Sequence, residues 1–162
     1  MAEYTAKILW KRDVQERFID NKYSRGHLWQ FDGGETIKAS SSSHIVPIPY
    51  SVEANVDPEE AFIASISSCQ MLFFLSIVAK HSFTVDQYID NAIGIMGKNS
   101  DGKVSMTKVT LRPYVTFSGE KQPTISQLEK LHHEAHERCF IANSIKTQVI
   151  TEIVMDPLET DL

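Results

Sequence analysis

Residues 57–83, DPEEAFIASISSCQMLFFLSIVAKHSF, decide the fold, because they read as one long helix that is apolar on nearly every side and carries a single thiol near its middle. Asp57 is a good N-cap, Pro58 suits the first helical position where no N–H is missed, and Glu60 falls where a capping box places an acid. From Ala61 to Ala79 the polar residues are Ser65, Ser67, Ser68, Gln70 and Ser76, and none is charged. A helix of that composition is expected to be buried on all faces. A membrane span is the competing reading, since about twenty apolar residues cross a bilayer. The interspersed polar residues dilute a segment barely long enough for that, so a core helix is the better reading and no membrane partner is expected.

Working outward toward the start, residues 3–12 and 14–24 hold Tyr4, Ala6, Ile8 and Trp10 at alternate positions, the periodicity of strands with one face covered. Residues 27–31 and 35–42 flank Asp32-Gly33-Gly34, a hairpin signal, so the first third is expected to be a β meander. Residues 44–55, with Pro47 and Pro49, read as an irregular connector that delivers the chain to the helix. Trp10 and Trp29 are expected to pack within the meander.

Beyond the helix, residues 85–98 look extended, and Asn99-Ser100-Asp101-Gly102 turns the chain into a second β run over 104–118, where Pro113 suggests an edge or a bulge. Thr124 with Gln127 forms another capping box, opening a helix to about Arg138. Leu128, Leu131 and Ala135 form its apolar stripe, and Cys139 continues that stripe inward. Asn143-Ser144 leads into a last strand over 145–155, and 157–162 should be a loose tail. The order is that of an α+β fold in a single domain over 1–162.

The totals narrow the function classes. A chain of 162 residues with a net charge of −5 and a pI near 5.6 offers no electrostatic reason to bind nucleic acid or an anionic membrane. Residues 1–10 lack the apolar core of a signal peptide, so a cytoplasmic location is the expectation. In that compartment two cysteines so far apart in sequence are not expected to be a permanent staple, and they are not spaced as a zinc knuckle. His132 and His136 lie one helical turn apart, but the pattern is not HExxH and Glu129, Lys130, Glu134 and Glu137 mark that side as solvated; no metal and no cofactor is expected.

Cys69 lies too deep in its helix to feel the N-terminal dipole. Enclosed by Leu72, Phe73 and Phe74, its thiol would be inert unless a cation reached it, and on spacing alone it reads as a small core residue.

The run Asp57-Pro58-Glu59-Glu60-Ala61-Phe62, followed by Ser67-Ser68-Cys69, with Ser24-Arg25-Gly26-His27 upstream and Cys139-Phe140-Ile141-Ala142-Asn143-Ser144 downstream, resembles the OsmC/Ohr family of osmotically inducible and organic hydroperoxide resistance proteins. The chain departs from the family pattern at Tyr23-Ser24, where members often have glycines, and at Phe140, where many have proline. The resemblance implies an intertwined homodimer with sites at the subunit interface and a cysteine-based peroxidase that reduces organic hydroperoxides. It assigns Cys69 as the peroxidatic thiol, Cys139 as the resolving thiol, and Arg25 with Glu59 as the polar pair that activates Cys69. A dithiol of lipoyl or thioredoxin-like type would restore the thiols. Glu59 lies ten residues before Cys69, hence about 15 Å along the helix, so it would have to come from the partner subunit through antiparallel pairing of the central helices. Phe62, Ile66, Met71 and Phe73 would form an apolar wall for the peroxide. The competing function is a non-catalytic module that binds a small hydrophobic or lipid-like molecule at the interface, with both cysteines as core residues.

Overall fold

A computed structural model describes residues 1–156; the tail expected over 157–162 lies outside the described residues. The chain forms two compact units, Met1–Ala61 and from Phe62 onward.

In the first unit, β1 (Ala6–Leu9), β2 (His27–Phe31) and β3 (Thr36–Ala39) form an antiparallel sheet in that order, as the alternation predicts. Ile8, Trp29 and Ile37 lie opposite one another across it, the cross-strand apolar pairing that stabilises a sheet. The β2–β3 turn closes through the Gly34 N–H donating to the Phe31 carbonyl at 3.1 Å, and Gly34 sits at φ +92°, a conformation that favours glycine. Residues 14–24 are turns rather than the expected strand. Asp13 and Asp20 cause this, because their side chains accept from the Gln15 N–H at 2.9 Å and the Lys22 N–H at 3.0 Å. Such local turns compete with a sheet ladder. The loop then stacks Phe18 on Tyr23 at 4.7 Å and sets Tyr23 edge-on to Trp10 at 5.5 Å. The connector before the helix is irregular, as expected, and is pinned by fully buried Ser40, whose hydroxyl accepts from the Val52 N–H at 2.9 Å.

Helix α1 (Pro58–Lys80) starts where the capping box predicts: the Glu60 N–H donates to Asp57 Oδ1 at 2.8 Å and the Asp57 N–H to Glu60 Oε2 at 3.1 Å. The second unit is built around the remainder of this helix. Ile66 joins Val109 and Leu111 in one apolar core, while Phe74, Ile77 and Val78 join Phe83, Leu128, Leu131 and Ala135 in another. The first core lies against a sheet ordered β5 (Ile93–Lys98), β6 (Val104–Leu111), β8 (Gln148–Thr151), in which β8 runs parallel to β6. The second lies against β4 (Thr84–Asp90) paired with β7 (Pro113–Ser118) and against α2 (Ile125–Arg138). The single extended run expected over 85–98 is therefore two strands in different sheets. Pro113 marks the corner where the chain leaves β6 for β7, consistent with a residue that cannot donate to a ladder. Gly94 allows β5 its close approach to α1, since a Cβ there would meet Ile63 Cδ1 and Met106 Sδ at 2.6 Å.

The α1 helix is not covered on all faces. Ser65, Ser68, Leu72 and Ser76 lie along one exposed strip, with Leu72 at 61% exposure. The reason is geometric: the other elements of the unit pack on the side carrying Ile66, Gln70, Phe74 and Ile77, and an all-round apolar helix has no polar face to forewarn of an open one. By length and composition α1 would also suffice to cross a bilayer. Helix α2 follows its stripe, with Leu128, Leu131 and Ala135 buried and the Thr124–Gln127 capping box complete. The last strand is shorter than expected, but Glu152 and Val154 carry its hydrogen bonding onward to the carbonyls of Leu111 and Pro113 at 2.8 and 3.0 Å.

Candidate active site

The two thiols, far apart in sequence, meet in the second unit. Cys69 on α1 and Cys139, the C-cap of α2, are both free, and Cys69 is near enough to act on the Cys139 thiol. Their surroundings differ. Cys139 is fully covered, and burial pushes its thiol up to about 11; the neighbouring Cys69 acts in the same direction. The Ala142 N–H donates to Cys139 Sγ at 3.4 Å and opposes this without reversing it. Cys139 is therefore a protonated thiol at neutral pH. Cys69 is half-buried rather than enclosed, because Leu72 points outward instead of over it. A partly exposed cysteine beside a covered one is an arrangement that can accept an oxygen atom at the first and close to a disulfide with the second.

Phe73, one helical turn after Cys69, meets Phe140, the neighbour of Cys139, edge-on at 5.0 Å, and Phe140 is 71% exposed. Of the apolar wall expected for the peroxide, Ile66 is instead a fully buried core residue.

Arg25 belongs to the first unit, just before β2. Its guanidinium donates to the Asn21 carbonyl at 3.0 Å, to Asn21 Oδ1 at 2.7 Å and to the Tyr23 carbonyl, and lies 3.7 Å from the centre of the Tyr23 ring. These acceptors are all neutral, so the positive charge is held in place without being cancelled. Trp10, Phe18, Tyr23, Arg25, His27 and Ser41 line a groove of about 450 Å³ in this unit. Glu59 is half-buried in the first turn of α1 and, among the described residues, forms no ion pair with Arg25. Arg12 bonds back onto carbonyls of its own loop, including that of Asp13 at 3.1 Å.

Two positions differ from their sequence reading. His132 is 1% exposed, not on a solvated face: its ring stacks on Phe74 at 4.1 Å, and burial lowers its pKa to about 4. Glu129, Lys130 and Glu137 are exposed as expected. Among the described residues, no three of His, Cys, Asp and Glu are grouped to hold a metal ion. Gln70 had no assigned role, yet its Nε2 donates to the His132 carbonyl at 3.0 Å from a fully buried position. The signal was present as the one amide within an apolar run.

A family model described as OsmC-like protein matches residues 52–154. No curated protein matches the chain. Among solved structures, an OsmC-like protein of unknown function from Vibrio cholerae is 63% identical, with a TM-score of 0.94 over 95% of this chain and 100% of that one. An organic hydroperoxide resistance protein from Elizabethkingia anophelis (15% identity, TM-score 0.64, 94% of this chain and 95% of that one) shares the fold. So does the organic hydroperoxide resistance protein OhrB of Bacillus subtilis (18% identity, TM-score 0.60, 93% and 98%). With its α+β architecture and the span of the family match, the chain belongs to the OsmC-like protein family.

Proposed function

We propose that this protein is a cytoplasmic, thiol-dependent peroxidase that reduces organic hydroperoxides to alcohols. The observation that carries the reading is the half-buried Cys69 beside the covered, protonated Cys139. The Cys69 thiolate attacks the terminal peroxide oxygen, the O–O bond breaks, and the alkoxide takes a proton to leave as alcohol, with Cys69 as sulfenic acid. Cys139 condenses with that sulfenic acid; the S–S bond forms as water departs with the Cys139 proton. A dithiol then reduces the disulfide and is itself oxidised. Arg25 supplies the positive charge that favours the thiolate, and Glu59, from a second copy of the chain, orients the guanidinium. The open strip of α1 at Ser65, Ser68, Leu72 and Ser76 is where that copy pairs.

Treating the protein with one equivalent of cumene hydroperoxide tests this. The wild type is expected to form a Cys69–Cys139 disulfide, Cys139→Ser to accumulate a dimedone-reactive Cys69, and Cys69→Ser to lose all turnover. Turnover surviving in Cys69→Ser, or no oxidation of Cys69 in the wild type, would defeat the proposal.

The aromatic groove of the first unit favours a second reading, a binding module for a small hydrophobic molecule. Under that reading Cys69→Ser retains an apolar fluorescent probe with unchanged affinity, and peroxide leaves both thiols reduced.

A further inference from the structure

We infer that Gln70 is a positioning residue that sets α1 against α2 and thereby holds the Cys69 and Cys139 sulfurs in register. The inference deepens the peroxidase reading, which supplies the reason two thiols should be held together. Gln70 follows Cys69 directly in α1 and is 1% exposed. Its Nε2 reaches across to the His132 carbonyl of α2 at 3.0 Å, while its Oε1 is buried without a partner. One turn further along α1, Phe74 stacks on the His132 ring at 4.1 Å and 14°. Helix α1 thus clasps His132 from both sides, by its carbonyl and by its ring.

Phe74, Ile77 and Val78 of α1 also share an apolar core with Leu128, Leu131 and Ala135 of α2. Apolar packing of that kind is non-directional and tolerates small slides. A hydrogen bond does not, because it weakens steeply away from its preferred distance and angle. A helix pair held at His132 and meeting again at Cys139, two turns on, has its roll and slide fixed at the second point by the first. An apolar side chain at position 70 would fill the space and leave no unpartnered oxygen, so the amide contributes geometry rather than burial.

The full-length protein is compared with Gln70→Met, which keeps the length and apolar bulk of the side chain, and with Ile77→Val, which trims the same face of α1 and leaves the amide alone. Phenylarsine oxide, which is chelated by two thiols in reach of each other and requires no oxidation, is the probe. Gln70→Met is expected to bind it about tenfold more weakly and to shift the dithiol–disulfide equilibrium by the same factor toward the reduced form, about 30 mV. Ile77→Val is expected to change neither while lowering the melting temperature. Unchanged arsenical affinity in Gln70→Met, or an equal loss in Ile77→Val, overturns the inference. Failure of the wild type to form the disulfide with peroxide, combined with a tenfold arsenical difference, overturns the peroxidase reading and upholds the role of Gln70.

Discussion

Over Ile125–Arg138, α2 separates a buried stripe of Leu128, Leu131 and Ala135 from charged neighbours such as Glu129, Lys130 and Glu137; over Pro58–Lys80, α1 shows no such contrast. Yet each helix buries about one face. In α2 that face is written in the residues, whereas in α1 it is decided by which elements of the chain arrive to pack on it. The difference teaches that an apolar residue in α2 reports its own position, and an apolar residue in α1 reports only that some surface is needed for it. The strip left over on α1 is three serines, Ser65, Ser68 and Ser76, with Leu72, small enough for another helix to approach closely.

The sharpest way to break this contrast is to truncate both faces of α1. Phe74→Ala, in the core shared with α2, is expected to lower the unfolding free energy by about 3–5 kcal/mol in urea titration; a loss below about 1 kcal/mol would mean the face is not packed as described.

Next in size is the acid response of His132, the one residue of α2 that is buried outside its apolar stripe. Its ordinary pKa is 6.5 and burial lowers it to about 4, so between those values the unfolded chain takes up a proton that the folded chain refuses. Stability present above pH 6.5 is therefore lost as the pH falls toward 4, by an amount on the order of 3 kcal/mol. Burial raises the pKa of Asp90, which gives a slope of the opposite sign, so the comparison is with His132→Phe, which keeps the stack on Phe74. Equal pH slopes for wild type and His132→Phe would refute the assignment.

The smallest effect on folding is expected from Leu72→Ser, within about 0.5 kcal/mol for one chain, and under the proposed pairing of two copies it is accompanied by a shift toward monomer in sedimentation. A loss approaching that of Phe74→Ala would show Leu72 to be packed within its own chain.

How far the residues could be read depended on whether the governing interaction was local. Both capping boxes, the Gly34 turn and the α2 stripe rest on residues a few positions apart, and each is where its residues place it. The loop over 14–24 escaped because the side chains of Asp13 and Asp20, also local, were outweighed in the reading by alternation that ends at Leu9. The separation of β4 from β5 into two sheets, the exposure of Cys69 and the burial of His132 depend on elements distant in the chain, and no periodicity encodes them. The meeting of the thiols lies between these cases: the inward direction of Cys139 follows from the stripe, while its neighbour does not.

The parallel seating of β8 beside β6 has a consequence for biosynthesis. β5 and β6 leave the ribosome well before the strand that completes their sheet, so one edge of β6, beside Val109 and Leu111, stays unpaired while α2 is still being translated. A nascent chain in that condition presents an open, β-branched strand to its surroundings. Docking of β8 closes that edge along Lys108–Leu111.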